Sequence, residues 1–166
     1  TTLPVGAGLS SSAALEVAVA LALGFDGSSI DLAQLTQLAE QQASGVPCGI
    51  MDQLASAGGV EGHALLIDCH DLTVAPVPIP GDVEVRVIHS GQARALASSA
   101  YAERTAALQA AEALVGPLRL IDDVDHLEPL RNADRSALFR RARHVVTENA
   151  RVRAAPDALR SGDAAA

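Results

Sequence analysis

The sequence contains no lysine and no tryptophan, and all twelve of its basic residues are arginines. Because a Walker A phosphate loop requires a lysine, the sequence excludes that class of nucleotide site. One tyrosine and two phenylalanines cannot fill a core, so the core has to consist mainly of Ala, Val, Leu and Ile. Apolar residues make up 49% of the 166 positions, which is enough for one ordinary domain or for two small ones sharing an interface.

Net positive charge is also lacking. The formal charge of −8 and the pI near 4.9 argue against nucleic acid or an anionic membrane as a partner. Cys48 and Cys69 have neither CxxC nor metal-ligand spacing, which predicts reduced, buried thiols in a cytoplasmic protein. No signal peptide is visible, and the most apolar run, residues 13–23, is shorter than the roughly 20 residues that cross a bilayer. We therefore expect a soluble protein.

Helices and strands are both predicted, in an order that indicates an α+β or α/β class. A first helix is expected from Ser10 or Ser11, either of which can cap it, to Gly24, and its apolar character predicts burial on nearly every side. Alternating apolar and polar residues predict the clearest strand at 83–89. The other predicted elements are helices near 31–45, 51–57, 99–115, 124–131 and 135–153, and strands at 64–68 and 72–79.

The stretch PVGAGLSSSAALE, residues 4–16, leads from a glycine-rich loop into the first helix. Gly6 and Gly8 allow tight bends and close approach of a ligand to the backbone. Three serine hydroxyls, residues 10–12, lie beside the free N–H groups of a helix N-terminus, and together these donors suit a phosphate group. An ordinary serine-capped helix after a glycine turn explains the same pattern, so spacing alone leaves both interpretations open.

Two acidic residues are candidates for the remaining chemistry of phosphoryl transfer. Mg²⁺ prefers carboxylates, hydroxyls and phosphate oxygens, and Glu40 lies in an otherwise uncharged helical stretch, LAEQQA. Transfer to an alcohol benefits from a carboxylate near the acceptor oxygen, and Asp52 in CGIMDQ begins a helix after Pro47 and Gly49. A carboxylate favoured by the helix dipole is an equally simple explanation for Asp52.

The first of these motifs, PVGAGLSSSAALEVAVA, resembles the phosphate loop of the GHMP small-molecule kinases. Within that superfamily, GVPCGIMDQLASAGGVEGHALLIDC is similar to the galactokinases, as are SSAYAERTAALQAAEAL and RARHVVTENARV at similar spacing. The resemblance covers most of the chain. It implies an α+β fold of the two-domain GHMP type, with residues 1–80 from the N-terminal ATP-binding domain and residues 81–166 from the C-terminal domain.

The resemblance also implies roles for individual residues. Ser12 and Glu40 would be magnesium ligands, Asp52 the catalytic carboxylate at the sugar 1-hydroxyl, and Tyr101 a sugar contact, unless Tyr101 is an ordinary amphipathic-helix residue. The implied reaction is ATP-dependent phosphorylation of galactose to galactose 1-phosphate. A kinase for arabinose or N-acetylgalactosamine and a non-catalytic sugar and ATP sensor are the alternatives. The residues expected to surround the ATP phosphates are Gly6, Ala7, Gly8, Leu9, Ser10, Ser11 and Ser12.

Two family segments have no counterpart in this sequence. Galactokinases carry an N-terminal segment resembling GRVNLIGEHTDY, which supplies an arginine and sugar ligands, and a C-terminal motif of the GGGFGG kind. The expected explanation is an internal piece of a galactokinase. Because sugar recognition needs a complete set of hydrogen-bond partners, we expect such a piece to fold poorly or in part and to have little or no kinase activity.

Overall fold

In the part of the chain that the structure describes, the regular elements are five α-helices, three short 3₁₀ segments and a two-stranded sheet. The computed structural model describes residues 2–4, 7–45, 47–89, 91 and 99–162, with only the backbone of 99–101. The mixture confirms the predicted α+β class. The elements are α1 Ser11–Ala22, α2 Ser29–Ser44, α3 Met51–Gly58, β1 His63–Asp68, β2 Thr73–Pro78, α4 Ser99–Val115 and α5 Ser136–Ser161, with 3₁₀ segments at Leu118–Leu120, Val124–Leu130 and Ala133–Arg135.

The chain divides into two compact units. The first unit comprises residues 1–97 and 159–165, and the second comprises residues 98–158 and residue 166. None of the helices in the described part of the chain is both long enough and apolar enough to cross a membrane. Each unit is described separately below.

Local sequence signals determine where the first two helices end. After α1, Gly24 adopts φ +88°, and the N–H groups of Gly24 and Phe25 donate to the carbonyls of Leu21 and Ala20, as in a Schellman motif. At the start of α2, the Ser28 hydroxyl accepts from the Asp31 N–H while the Asp31 carboxylate accepts from the Ser28 N–H, which forms a capping box. Glycine at position 45 (φ +68°) ends α2 as predicted.

In the first unit, α1, α2 and α3 pack on one another and α3 contacts β1. The predicted strands β1 and β2 form an antiparallel pair with His63 opposite Pro78 and Asp68 opposite Thr73. The buried centre of this unit is Ala33, Ile50 and Leu54. Around it pack Ile30, Ala57, Ile67, Leu72 and Val74.

The predicted strand at 83–89 does not form. The described residues of this segment have no regular secondary structure, and Val85, Val87 and Ile88 are exposed. Alternation specifies only a segment that can enter a sheet, whereas a strand also needs a neighbour to pair its backbone N–H and C=O groups. In the described part of the chain β1 and β2 pair with each other and no strand pairs with this segment.

The predicted burial of α1 on nearly every side is also wrong. Ala13 and Val17 are buried, but Leu15, Val19, Leu21 and Leu23 are exposed. The reason is geometric: α2 and α3 contact α1 on the face of Ala13 and Val17, and Leu15 and Val19, two residues further along, lie about 200° away around the helix. The predicted burial of the thiols fails too, since Cys48 is half-buried and Cys69 is exposed, although both are free as expected.

The second unit is a helical assembly with one continuous core. Its buried residues come from α4, the 3₁₀ segments and α5, and they are Ala111, Leu118, Ile121, Leu127, Leu130, Ala142 and Val146. The helix predicted at 124–131 is a 3₁₀ segment, Val124–Leu130, containing Pro129, which lacks an N–H for a helical hydrogen bond. The final helix is longer than predicted and continues through the buried Pro156, which is flanked by alanines and Leu159 of high helix propensity.

Candidate active site

A buried carboxylate forms the centre of the candidate site. Glu40, on the last turns of α2, is only 7% exposed. The Ser12 hydroxyl at the start of α1 donates to its Oε1 atom at 2.7 Å. On the other oxygen, Oε2, the Gln53 Nε2 atom donates at 2.5 Å and the Cys48 thiol donates at 3.7 Å. Residues far apart in the sequence thus meet on one acidic group.

This arrangement makes burial of the carboxylate tolerable. A buried charge is costly unless hydrogen bonds replace its lost hydration, and Glu40 receives three from neutral donors. The Cys48 thiol remains a donor because burial raises its pKa and the neighbouring Glu40 charge raises it further. The amides of Gln37 and Gln41 donate to the Cys48 carbonyl at 3.1 and 3.0 Å, which holds this backbone against α2.

The described part of the loop before α1 contains two residues with positive φ angles. Gly8 has φ +77° and Ser10 has φ +51°, which is strained for a residue with a side chain. Left-handed residues in such a turn direct successive N–H groups into a concavity that can hold an anion. The predicted serine cap is absent, because Ser10 occupies the N-cap position but its side chain makes no capping hydrogen bond. The simple explanation by a serine-capped helix therefore loses its main support.

Glu16 is a second acid near the site. It lies four residues after Ser12 on α1, so both side chains are on the same face of the helix. Burial raises the pKa of the Glu16 carboxyl, and the negative charge of Glu40 raises it further. Its Oε2 atom is buried and has no hydrogen-bond partner among the described residues. The charge of Glu40 therefore disfavours ionisation of the Glu16 carboxyl.

The sequence-predicted residues are only partly brought together. Ser12 and Glu40 are hydrogen-bonded to each other, and Asp52 lies in the first turn of α3, immediately before Gln53. Tyr101 lies in α4, but its side chain is outside the described residues, as is Gly6. Sequence reasoning missed Gln53, Cys48 and Glu16. Glu16 had a visible signal, because it is the only charge in a long apolar helix, whereas the other two depend on packing.

The described residues include no cluster of three or more His, Cys, Asp or Glu side chains that could hold a metal ion. Ser12 and Glu40 offer one hydroxyl and one carboxylate. This donor set fits Mg²⁺ bound with a nucleotide, because Mg²⁺ commonly takes one or two protein ligands and completes its shell with phosphate oxygens and water. His144 and Glu148, at 3.9 Å on α5, are an exposed pair and fit a solvated contact.

A comparison with protein families finds a match in the first part of the chain. Residues 1–59 match the family model of the GHMP kinases N terminal domain. The segment with the loop, Glu40 and Asp52 is therefore similar to the N-terminal domain of the GHMP kinases.

The relatives within that class are galactokinases. The chain is 45% identical to the galactokinase of Chloroflexus aurantiacus and 44% identical to that of Chloroflexus aggregans, in each case over 96% of this chain and 44% of the relative. A crystal structure of Lactococcus lactis galactokinase complexed with galactose superposes with a TM-score of 0.78 at 32% identity, covering 97% of this chain and 44% of that one. The chain thus spans less than half the length of these relatives.

Proposed function

We propose that this chain carries the phosphate site and the catalytic acid of an ATP-dependent galactokinase. The product is galactose 1-phosphate. In this reaction the 1-hydroxyl oxygen of the sugar bonds to the γ-phosphorus, the bond from that phosphorus to the β–γ bridging oxygen breaks, ADP leaves and the hydroxyl proton is released. The single observation that carries the proposal is the 2.7 Å hydrogen bond from Ser12 to Glu40, which supports a role for this carboxylate beside the proposed phosphate loop.

The loop and α1 would bind the ATP phosphates. Residues 6–12 supply backbone N–H groups and hydroxyls, and the positive φ angles of Gly8 and Ser10 support this role. Ser12 and Glu40 would hold Mg²⁺, which neutralises charge on the phosphates when bound. No lysine is needed, because the N–H groups and the helix dipole replace it.

Asp52 would orient the sugar 1-hydroxyl and accept its proton. Its backbone position is tied to Glu40 through the neighbouring Gln53, so acid and phosphate loop belong to one packed region. Tyr101 would contact the sugar. The proposal also assigns residues 1–80 to an N-terminal domain and 81–166 to a C-terminal domain, and a cytoplasmic location follows from the same family relationship.

Formation of galactose 1-phosphate from galactose and MgATP, detected by mass spectrometry, tests the proposal. We expect slow product formation by the unaltered chain and by the charge-matched control Asp26→Asn, which changes an exposed residue, and no product with Asp52→Asn. Parallel reactions with arabinose and N-acetylgalactosamine test the alternative substrates. Equal product from the Asp52 variant would contradict its role, and failure of the chain to bind ATP would contradict the kinase assignment.

A further inference from the structure

We propose that Gln53 is a positioning residue that anchors one oxygen of Glu40 and thereby presents the other oxygen to a divalent cation. The inference rests on the proposed function, since it requires that Glu40 serve as a ligand of the cation that accompanies ATP. It adds a residue that neither the phosphate loop nor the catalytic acid includes.

The two oxygens of Glu40 have chemically different neighbours. Among the described residues, Oε1 receives only the Ser12 hydroxyl, at 2.7 Å, whereas Oε2 receives the Gln53 amide at 2.5 Å and the Cys48 thiol at 3.7 Å. A hydroxyl can turn its proton away and offer its oxygen to a cation, but an amide NH₂ is only a donor and cannot be a ligand. The carboxylate is thus divided into a side open to a cation and an anchored side.

The orientation of the Gln53 amide follows from its partner. A carboxylate is only an acceptor, so the NH₂ group has to face Glu40 and the amide oxygen has to point away. Gln53 is completely buried, and its Oε1 atom has no hydrogen-bond partner among the described residues. An apolar side chain of similar size would avoid this unpaired oxygen. Packing alone therefore gives no reason for a glutamine at this position. The hydrogen bond that its amide donates to Glu40 gives one.

The placement of Gln53 gives the anchor a second consequence. Gln53 follows Asp52 in the first turn of α3, while Glu40 belongs to α2. The hydrogen bond between them joins two helices across 13 positions of sequence. One contact therefore aligns the cation ligand and keeps the helix that bears the proposed catalytic acid in register with it.

The test is binding of Mn²⁺, followed by electron paramagnetic resonance, in the presence of a non-hydrolysable ATP analogue. The variant is Gln53→Met, which keeps the size of the side chain and removes the donor. The control is Gln34→Met, which makes the same substitution at an exposed glutamine of α2 that takes no part in the three hydrogen bonds to Glu40. We expect Gln53→Met to weaken Mn²⁺ binding about tenfold or more and to leave metal-free binding of the analogue unchanged, as for other outer-shell partners of metal ligands. The control should bind Mn²⁺ like the unaltered chain.

Each other outcome overturns the inference. Unchanged Mn²⁺ affinity in Gln53→Met, or equal weakening in both variants, removes the anchoring role while the proposed function stands. Absence of Mn²⁺ binding by the unaltered chain overturns both together. If Gln53→Met does not fold, the side-chain amide resonance of Gln53 in the unaltered chain decides the matter: it should keep its hydrogen-bonded shift when Mg²⁺ and the analogue are added, and loss of that shift contradicts the anchor.

Discussion

The two compact units differ in the kinds of residues that they bury. The second unit has an entirely apolar centre of seven buried residues between α4 and α5. The first unit buries a smaller apolar cluster and also all the buried polar residues found among those described, namely Thr36, Glu40 and Gln53. Most of the exposed large apolar side chains in the described residues also belong to the first unit. The unit that carries the candidate site thus has the less extensive apolar core of the two, because hydrogen-bonded polar side chains occupy part of its interior.

The largest effect that tests this contrast is the loss of a core leucine in each unit. Leu127 in the second unit and Leu54 in the first are almost completely buried. Substitution of either by alanine should cost about 2–5 kcal/mol of unfolding free energy, with the larger cost for Leu127→Ala because it belongs to the larger buried apolar cluster. Urea denaturation measures both, and Leu120→Ala, at an exposed position of the second unit, is the control. An equal or larger loss of unfolding free energy in Leu54→Ala would contradict the expected difference between the cores of the two units.

A smaller effect should follow from changing the buried charge. In Glu40→Gln one carboxylate oxygen is replaced by an NH₂ donor, which leaves at least one of the three present donors without an acceptor. We expect a loss of about 1–3 kcal/mol in unfolding free energy together with loss of Mn²⁺ binding. Glu61→Gln, at an exposed position in the same unit, should change neither measurement. A more stable Glu40 variant would show that the network, unlike the core, is not stabilising.

The capping box of α2 predicts a change of about 1 kcal/mol. Ser28→Ala removes the side chain that caps the helix bearing Glu40, and should lower the unfolding free energy by that amount. Hydrogen bonds from Ser28 lower the pKa of Asp31, so the stability this carboxylate contributes is present above its unfolded value near 3.9 and is lost as pH falls through the lowered pKa.

Ser28→Ala should therefore also make unfolding less sensitive to acid. Denaturation curves between pH 7 and pH 2 check both effects, with the exposed Ser56→Ala as control. An unchanged acid sensitivity would mean that Asp31 depends on other partners.

The smallest effect concerns Glu16, and it has the opposite sign. The pKa of Glu16 is raised, so its ionisation opposes folding and the penalty appears as pH rises through that raised value. Glu16→Gln should stabilise the chain by no more than about 0.5 kcal/mol at pH 7, and the gain should vanish below about pH 4, where the acid is protonated in both states. Thermal denaturation at the two pH values measures it. A gain that is independent of pH would point to packing and not to charge.

Local signals made much of the fold predictable. Gly24 and Gly45 end α1 and α2, and α2 begins with a polar cap, because turns and caps depend on residues within a few positions of each other. The strands at 63–68 and 73–78 were predictable for the same reason. The predictions failed where an element depends on contacts with another part of the chain. Residues 83–89 have the alternation of a strand, but no described strand pairs with them. The apolar helix α1 was predicted to be buried, but several of its large side chains are exposed.

The candidate site was predictable in its residue types but not in its assembly. The roles of Ser12, Glu40 and Asp52 were predicted from the resemblance of their motifs to the GHMP kinases, because the residues alone left simpler explanations open for the loop and for Asp52. The hydrogen bond between Ser12 and Glu40 spans 28 positions, and Gln53 reaches Glu40 across 13, so no local pattern could reveal either.

By itself, the sequence determined the ends of α1 and α2, the paired strands and the backbone freedom of the glycine loop before α1, since these depend on short-range sterics and hydrogen bonds. Only the tertiary structure decided which face of α1 is buried, that segment 83–89 stays unpaired, and that one carboxylate receives three donors. Those outcomes depend on how helices pack, and packing brings together groups that the sequence keeps far apart.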